Sequence, residues 1–172
     1  MVRTGLLAAM VAAFFSIVPA AYASHGPTQA ITTANSTLSA DFTGHILIGA
    51  DNVTLDCNYH YILGPGANDA AGIGIDLTGR RNSKITRCHV GGFRYGILLS
   101  NSHSNVMIFN YLYRNKNGIK MLNSTGNIFY YNNSGENIGN GFDIKENTNN
   151  NTFIQNYVLW NNEDGFDLDQ SY

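Results

Sequence analysis

Apolar residues in this chain alternate with other residues over short runs, and the runs themselves recur. A glycine followed by a bulky apolar residue, any residue and a second bulky apolar residue appears as Gly74-Ile75-Asp76-Leu77, Gly96-Ile97-Leu98-Leu99, Gly118-Ile119-Lys120-Met121, Gly141-Phe142-Asp143-Ile144 and Gly165-Phe166-Asp167-Leu168. The successive glycines are 22, 22, 23 and 24 residues apart. Between them lies a second unit, an apolar residue with Asn or Cys three positions on: Leu55 with Asn58, Ile85 with Cys88, Met107 with Asn110, Phe129 with Asn132, Phe153 with Asn156. Only the first copy breaks the phase, through an insertion around Gly64–Ala71.

Apolar residues at i and i+2 are the mark of strands, and no window shows the helical i, i+3, i+4, i+7 spacing. A fixed period of this size means stacked repeats, and helical repeats need about 33 residues or more. The leucine-rich frame is absent. The pattern therefore predicts an all-β solenoid, a parallel β-helix of about five to six coils with ~22–24 residues in each, equivalent residues stacking about 4.8 Å apart. Ile75, Ile97, Ile119, Phe142 and Phe166 are expected to form one inward column, and Leu77, Leu99, Met121, Ile144 and Leu168 another. Asn58, Cys88, Asn110, Asn132 and Asn156 are expected to stack as a ladder of side-chain amides. The runs Asn115–Gly118 and Asn161–Gly165 suit corners with positive φ.

Composition sharpens this picture. The 172 residues include 18 Gly, 10 Tyr and, counted along the chain, 23 Asn, with 13% charged residues and a formal net charge of −2. No basic stripe is present, which excludes an electrostatic nucleic-acid binder. Met1–Arg3, the apolar stretch from Leu6 to Val18 and the small residues of Ala21-Tyr22-Ala23 read as a secretory leader occupying residues 1–23. The apolar stretch is shorter than the ~18 residues a membrane anchor needs, and no later segment is a transmembrane candidate. Residues 24–51 are assigned to an N-terminal cap and first coil, and 52–172 to the repeats. The protein is expected to be secreted or periplasmic, a compartment in which Cys57 and Cys88 can pair across a loop of about 30 residues.

The stretch Ala50-Asp51-Asn52-Val53-Thr54-Leu55-Asp56, followed by Asn58, His60, Ile62 and Gly64, resembles the opening coil of secreted right-handed parallel β-helix repeat proteins. The later Asn-rich coils resemble NosD-type and pectate-lyase-like repeats over about residues 44 to 172. That resemblance implies a fold shared by polysaccharide lyases, hydrolases and epimerases, a copper accessory protein and adhesins. Fold does not carry function. The enzyme signatures are missing: Gly-Phe-Asp occurs at 141–143 and 165–167 but continues as Ile144-Lys145 and Leu168-Asp169, not as the Asp-Pro-His of the epimerases.

One residue per coil between the inward columns points away from the lumen: Asp76, Leu98, Lys120, Asp143 and Asp167. Two positions on lie Thr78, Ser100, Leu122, Lys145 and Asp169. Asp143 and Asp167 are thus expected about 4.8 Å apart, with Asp169 about 6.8 Å beyond Asp167. Carboxylates this close raise a pKa or recruit a cation, and the separations suit either glycosidase geometry. Asp143, Asp167 and Asp169 are the candidate acid, base or cation ligands, with Lys120 and Lys145 as charge partners. Calcium is the cation such a site would take. Copper, through His25 or the NosD-type resemblance, is the lesser candidate. The alternative for these five residues is an ordinary solvated strand face. Tyr111, Tyr131 and Trp160, among more aromatics than one lumen holds, are candidates for stacking on sugar rings. The expected partner is a polysaccharide or cell-envelope glycan, bound or processed. The alternative is a non-enzymatic surface module or copper accessory protein. The last coil runs to Asp169-Gln170-Ser171-Tyr172 without an amphipathic cap, so a partner or further segment is expected over it.

Overall fold

A computed structural model of the chain describes residues 29–66 and 72–169. The expected leader at residues 1–23, His25, residues 67–71 of the insertion and Gln170–Tyr172 lie outside the described residues. Strands follow one another in a repeating order. The first coil comprises β1 (Gln29–Thr32), β2 (Ser36–Thr37) and β3 (Phe42–Thr43). Then come β4 (His45–Ile48), β5 (Thr54–Asp56) and β6 (Tyr61–Leu63), and next β7 (Ile73–Asp76), β8 (Lys84–Thr86) and β9 (His89–Gly91). They are followed by β10 (Tyr95–Ser100), β11 (Val106–Ile108) and β12 (Tyr111–Tyr113), and by β13 (Asn117–Leu122), β14 (Ile128–Tyr130) and β15 (Asn133–Gly135). The series closes with β16 (Phe142–Lys145), β17 (Thr152–Ile154) and β18 (Phe166–Asp169).

The first strand of every coil joins sheet A, in the order β1-β4-β7-β10-β13-β16-β18. Second strands form sheet B and third strands sheet C, also in coil order. Pairing within all three sheets is parallel, with Ile75↔Ile97↔Ile119↔Phe142↔Phe166 in register on sheet A. The fold is thus an all-β parallel solenoid with three faces around one apolar lumen. Ile75, Ile97, Ile119, Phe142, Leu77, Leu99 and Met121 are fully buried there. Phe166 and Leu168 are exposed, because β18 is the edge strand of sheet A. A rung not evident in the repeat precedes the others: Ile46 pairs with Ile75, and His45 stands where later coils have glycine.

Close stacking explains the glycines. A Cβ on Gly96 would sit 2.6 Å from the Gly118 carbonyl oxygen, and one on Gly118 2.8 Å from that of Gly141. Positive φ falls elsewhere. The corner after sheet C turns at Gly92, Arg114, Glu136 and Trp160, so Arg114 and Trp160, not the Asn115–Gly118 and Asn161–Gly165 runs, adopt the left-handed conformation.

Asparagine ladders line all three corners, where the sequence had suggested one. Asn110, Asn132 and Asn156 form the first, Asn115, Asn137 and Asn161 the second, and Asn105, Asn127 and Asn151 the third. In each, Oδ1 accepts the backbone N–H of the preceding coil's asparagine while Nδ2 donates back to a main-chain carbonyl of that coil or the turn before it, as Asn110 Nδ2 does to Ile85 O and Asn127 Nδ2 to Ser102 O. Asn58 is not in the ladder. Two extra residues separate Leu55 from Ile62 compared with their partners Ile85 and Val90, so Asn58 becomes an exposed, positive-φ corner residue. Cys57 takes the interior position instead and is disulfide-bonded to Cys88, with Cα atoms 4.7 Å apart.

Candidate functional site

The outer surface of sheet A gathers the five charged residues at the end of the stack. The register Lys120↔Asp143↔Asp167 and Leu122↔Lys145↔Asp169 places each on an adjacent rung. Lys120 Nζ lies 2.9 Å from Asp143 Oδ2. Lys145 Nζ is central: it is 2.7 Å from Asp167 Oδ2, 3.4 Å from Asp169 Oδ2 and 3.8 Å from Asp143 Oδ1. Three carboxylates surround one ammonium.

These residues lie outside the lumen, yet the column is not a solvated strand face. Asp76, Lys120 and Asp143 are buried, and only Asp169 is freely exposed, with 62% of its side chain in solvent against 27% for Asp167. Cross-rung pairing is what removes Lys120 and Asp143 from water, whereas Asp76 lies between Leu47 and Leu98 and accepts the Thr78 N–H. Asparagines that the sequence did not single out complete the arrangement. Asn117 Nδ2 donates to Asp143 Oδ2 at 2.6 Å, and Asn140 Nδ2 to Asp167 Oδ2 at 3.0 Å. Both occupy the position just before the repeated glycine, and that shared position was the legible signal. Their Oδ1 atoms accept the N–H groups of Asn140 and Asp164 in the next coil, which fixes the amides that orient the acids. Asp143 Oδ1 is buried and accepts no hydrogen bond.

Burial works to lower the pKa of Lys145, but hydrogen bonds and attraction from Asp167 and Asp169, with the charge of Asp143, outweigh it and raise the value above that of an ordinary lysine. The ammonium is therefore a fixed charge, not a base, at neutral pH. It lies among the carboxylates that the sequence offered as cation ligands. Among the described residues, no group of three or more His, Cys, Asp or Glu side chains is arranged to hold a metal ion.

The aromatic candidates lie elsewhere. Tyr111 projects from sheet C, and it and Trp160 border the same small hollow. Tyr131 is separate, stacked on Phe109 at the preceding corner with ring centroids 5.5 Å apart. The structure joins Tyr111 to Trp160 and brings neither to the acids of sheet A.

A family described as "Right handed beta helix region" matches residues 23–171. Among curated proteins none matches the chain by sequence. Among solved structures, a double mutant of the periplasmic alginate epimerase AlgG is similar, with 18% identity over 73% of this chain and a TM-score of 0.45. This chain covers 32% of that one. No helix among the described residues is long and apolar enough to cross a membrane.

Proposed function

The chain belongs to the right-handed β-helix family, and on that scaffold we propose that it is an exported protein whose sheet A surface binds an extracellular or cell-envelope polysaccharide without cleaving it. The observation that carries the reading is the presentation of Asp167 and Asp169, two residues apart on β18, around the single ammonium of Lys145. Ionised carboxylates are acceptor-only groups and an ammonium is donor-only, so the three together engage neighbouring sugar hydroxyls in both senses. Strand pairing and the Asn117 and Asn140 amides hold the underlying acids in place, which lowers the ordering cost of binding.

Charge narrows the ligand. Three carboxylates against two ammoniums leave the cluster with one negative charge, which disfavours a polyuronate and suits a neutral or amino-bearing chain. The same pairing argues for binding over catalysis, because Asp143, Asp167 and Asp169 are each engaged by a lysine and Lys145 is held protonated. Export rests on the leader-like residues 1–23.

The test is affinity electrophoresis of the mature protein through gels containing neutral, amino-bearing or uronate polysaccharides, with and without calcium. Retardation by a neutral or amino-bearing polymer, unchanged by calcium and lost in Asp169→Asn, is expected. Migration unaffected by every polymer overturns the reading. New reducing ends or unsaturated products, lost in Asp143→Asn or Asp167→Asn, overturn its non-catalytic part.

A further inference from the structure

We propose that sheet C carries a second, separate groove that binds the pyranose rings of a neutral oligosaccharide. The inference rests on the reading that the ligand of this protein is polysaccharide and extends it to a different face of the prism. On this face an open groove of about 450 Å³ is bordered by Leu63, Tyr113, Arg114, Glu136 and Ile138. A smaller hollow of about 30 Å³ adjoins it, bordered by Tyr111, Glu136 and Trp160. Glu136 borders both.

Register builds the groove. Tyr113 pairs with Gly91 on one side and Gly135 on the other, so a single ring stands between two positions without side chains. A Cβ on Gly91 would lie 2.8 Å from Tyr113 Cζ, which shows how closely the ring lies on that glycine. The depression is therefore a product of the glycines, and its aromatic wall is held by packing.

The corner column beside it places one residue per coil in the left-handed conformation. Gly92, Arg114, Glu136 and Trp160 occupy equivalent positions, with φ of 84°, 51°, 56° and 59°. Glycine adopts this conformation freely, whereas other residues lose about 1–2 kcal/mol in it. Three successive coils thus place a guanidinium, a carboxylate and an indole where glycine or asparagine would cost less. Arg114 and Trp160 project into solvent, 75% and 79% exposed.

The chemistry suits an uncharged polyol. Glu136 is 3.9 Å from Arg114 Nε and 3.5 Å from the Tyr111 hydroxyl, contacts loose enough for sugar hydroxyls to take over. Arg114 and Glu136 cancel in charge. Tyr113, one face of which is stacked on Tyr111 with ring centroids 5.0 Å apart, offers its other face to the C–H side of a pyranose, and Trp160 does so at the smaller hollow, giving a site with few polar groups, the usual form for a small ligand.

Trp160 is the sole tryptophan of the chain, and it borders the hollow that shares Glu136 with the groove, so its emission is the probe of binding there. Titration of the mature protein with neutral and uronate oligosaccharides is expected to give a saturable emission change with a neutral sugar and at least ten-fold weaker response with uronates. Glu136→Gln, at an exposed position, and Tyr113→Ala are each expected to weaken the neutral sugar at least ten-fold. Emission unmoved by every neutral sugar, while the gels of the sheet A test still retard the protein, overturns the groove and leaves the sheet A reading standing. A response with no retardation, or one surviving Asp169→Asn unchanged, assigns the binding to sheet C. A response that neither Glu136→Gln nor Tyr113→Ala weakens overturns the inference.

Discussion

Replacing Asn132 by leucine tests the asparagine ladders directly. Asn132 is fully buried, and its side chain joins three coils. Oδ1 accepts the Asn110 N–H at 3.1 Å and Asn110 Nδ2 at 2.9 Å, while Nδ2 donates to Met107 O at 2.9 Å and to Asn156 Oδ1 at 3.0 Å. Leucine has the same branched shape in its side-chain heavy atoms and, being bulkier, leaves no room for a bridging water. The Asn110 N–H and the Met107 carbonyl then lose these partners inside the solenoid. Each buried group left unsatisfied costs about 1–3 kcal/mol, so the expected loss is about 4 kcal/mol. For a chain of this size that lowers Tm by about 8–16 °C. The assay is thermal and urea unfolding of the protein followed by far-UV circular dichroism. Asn133→Ala, at the exposed neighbouring position, serves as the control and is expected to stay within about 0.5 kcal/mol of wild type. Asn132→Leu unfolding within 1 kcal/mol of wild type, taken as an order-of-magnitude bound on one net hydrogen bond, would refute the reasoning.

Reducing the Cys57–Cys88 bond, which closes a separation of 31 residues, is expected to cost about 3–4 kcal/mol on the chain-entropy estimate. Unfolding with and without reductant checks this. His89 sits edge-on among Tyr59, Tyr61 and Tyr111, and burial lowers its pKa while the Asp41 carboxylate pulls the other way. Its stabilising contribution is therefore complete above the unfolded value of about 6.5 and is lost as pH falls from there through the lower folded value. His89→Gln is expected to flatten that acid limb, and parallel pH profiles for the two proteins would contradict it. Lys145 has the opposite sign. Its raised folded pKa stabilises fully below the unfolded value of about 10.4 and is lost as pH rises through the folded value, a decline that Lys145→Met is expected to remove.

The period was legible because in a parallel solenoid it is the register. Spacings of 22 to 24 residues between glycines placed Ile97 opposite Ile119 and Lys120 opposite Asp143 before any coordinates. Where the period shifts locally, the reading failed. Two added residues between Leu55 and Ile62 moved Asn58 out to a corner, and the absence of a glycine at His45 hid the Ile46 rung. Burial of Asp143 and Lys120 was not legible either, since it arises from pairing across rungs and from the Asn117 and Asn140 amides. The groove on sheet C needed the register of a sheet whose strands carry glycine in one coil and tyrosine in the next, as at Gly91, Tyr113 and Gly135.

Carboxyl footprinting by mass spectrometry, with and without a polysaccharide that retards the protein, puts the sheet A assignment to the most direct test. In the free protein Asp167 and Asp169 are expected to label, Asp169 faster in keeping with its greater exposure, while Asp143 stays dark. Bound glycan is expected to protect Asp167 and Asp169 and to leave the exposed Asp51, far along the stack, labelling as before. Saturating polysaccharide that leaves Asp167 and Asp169 labelling at their free rates would contradict the assignment.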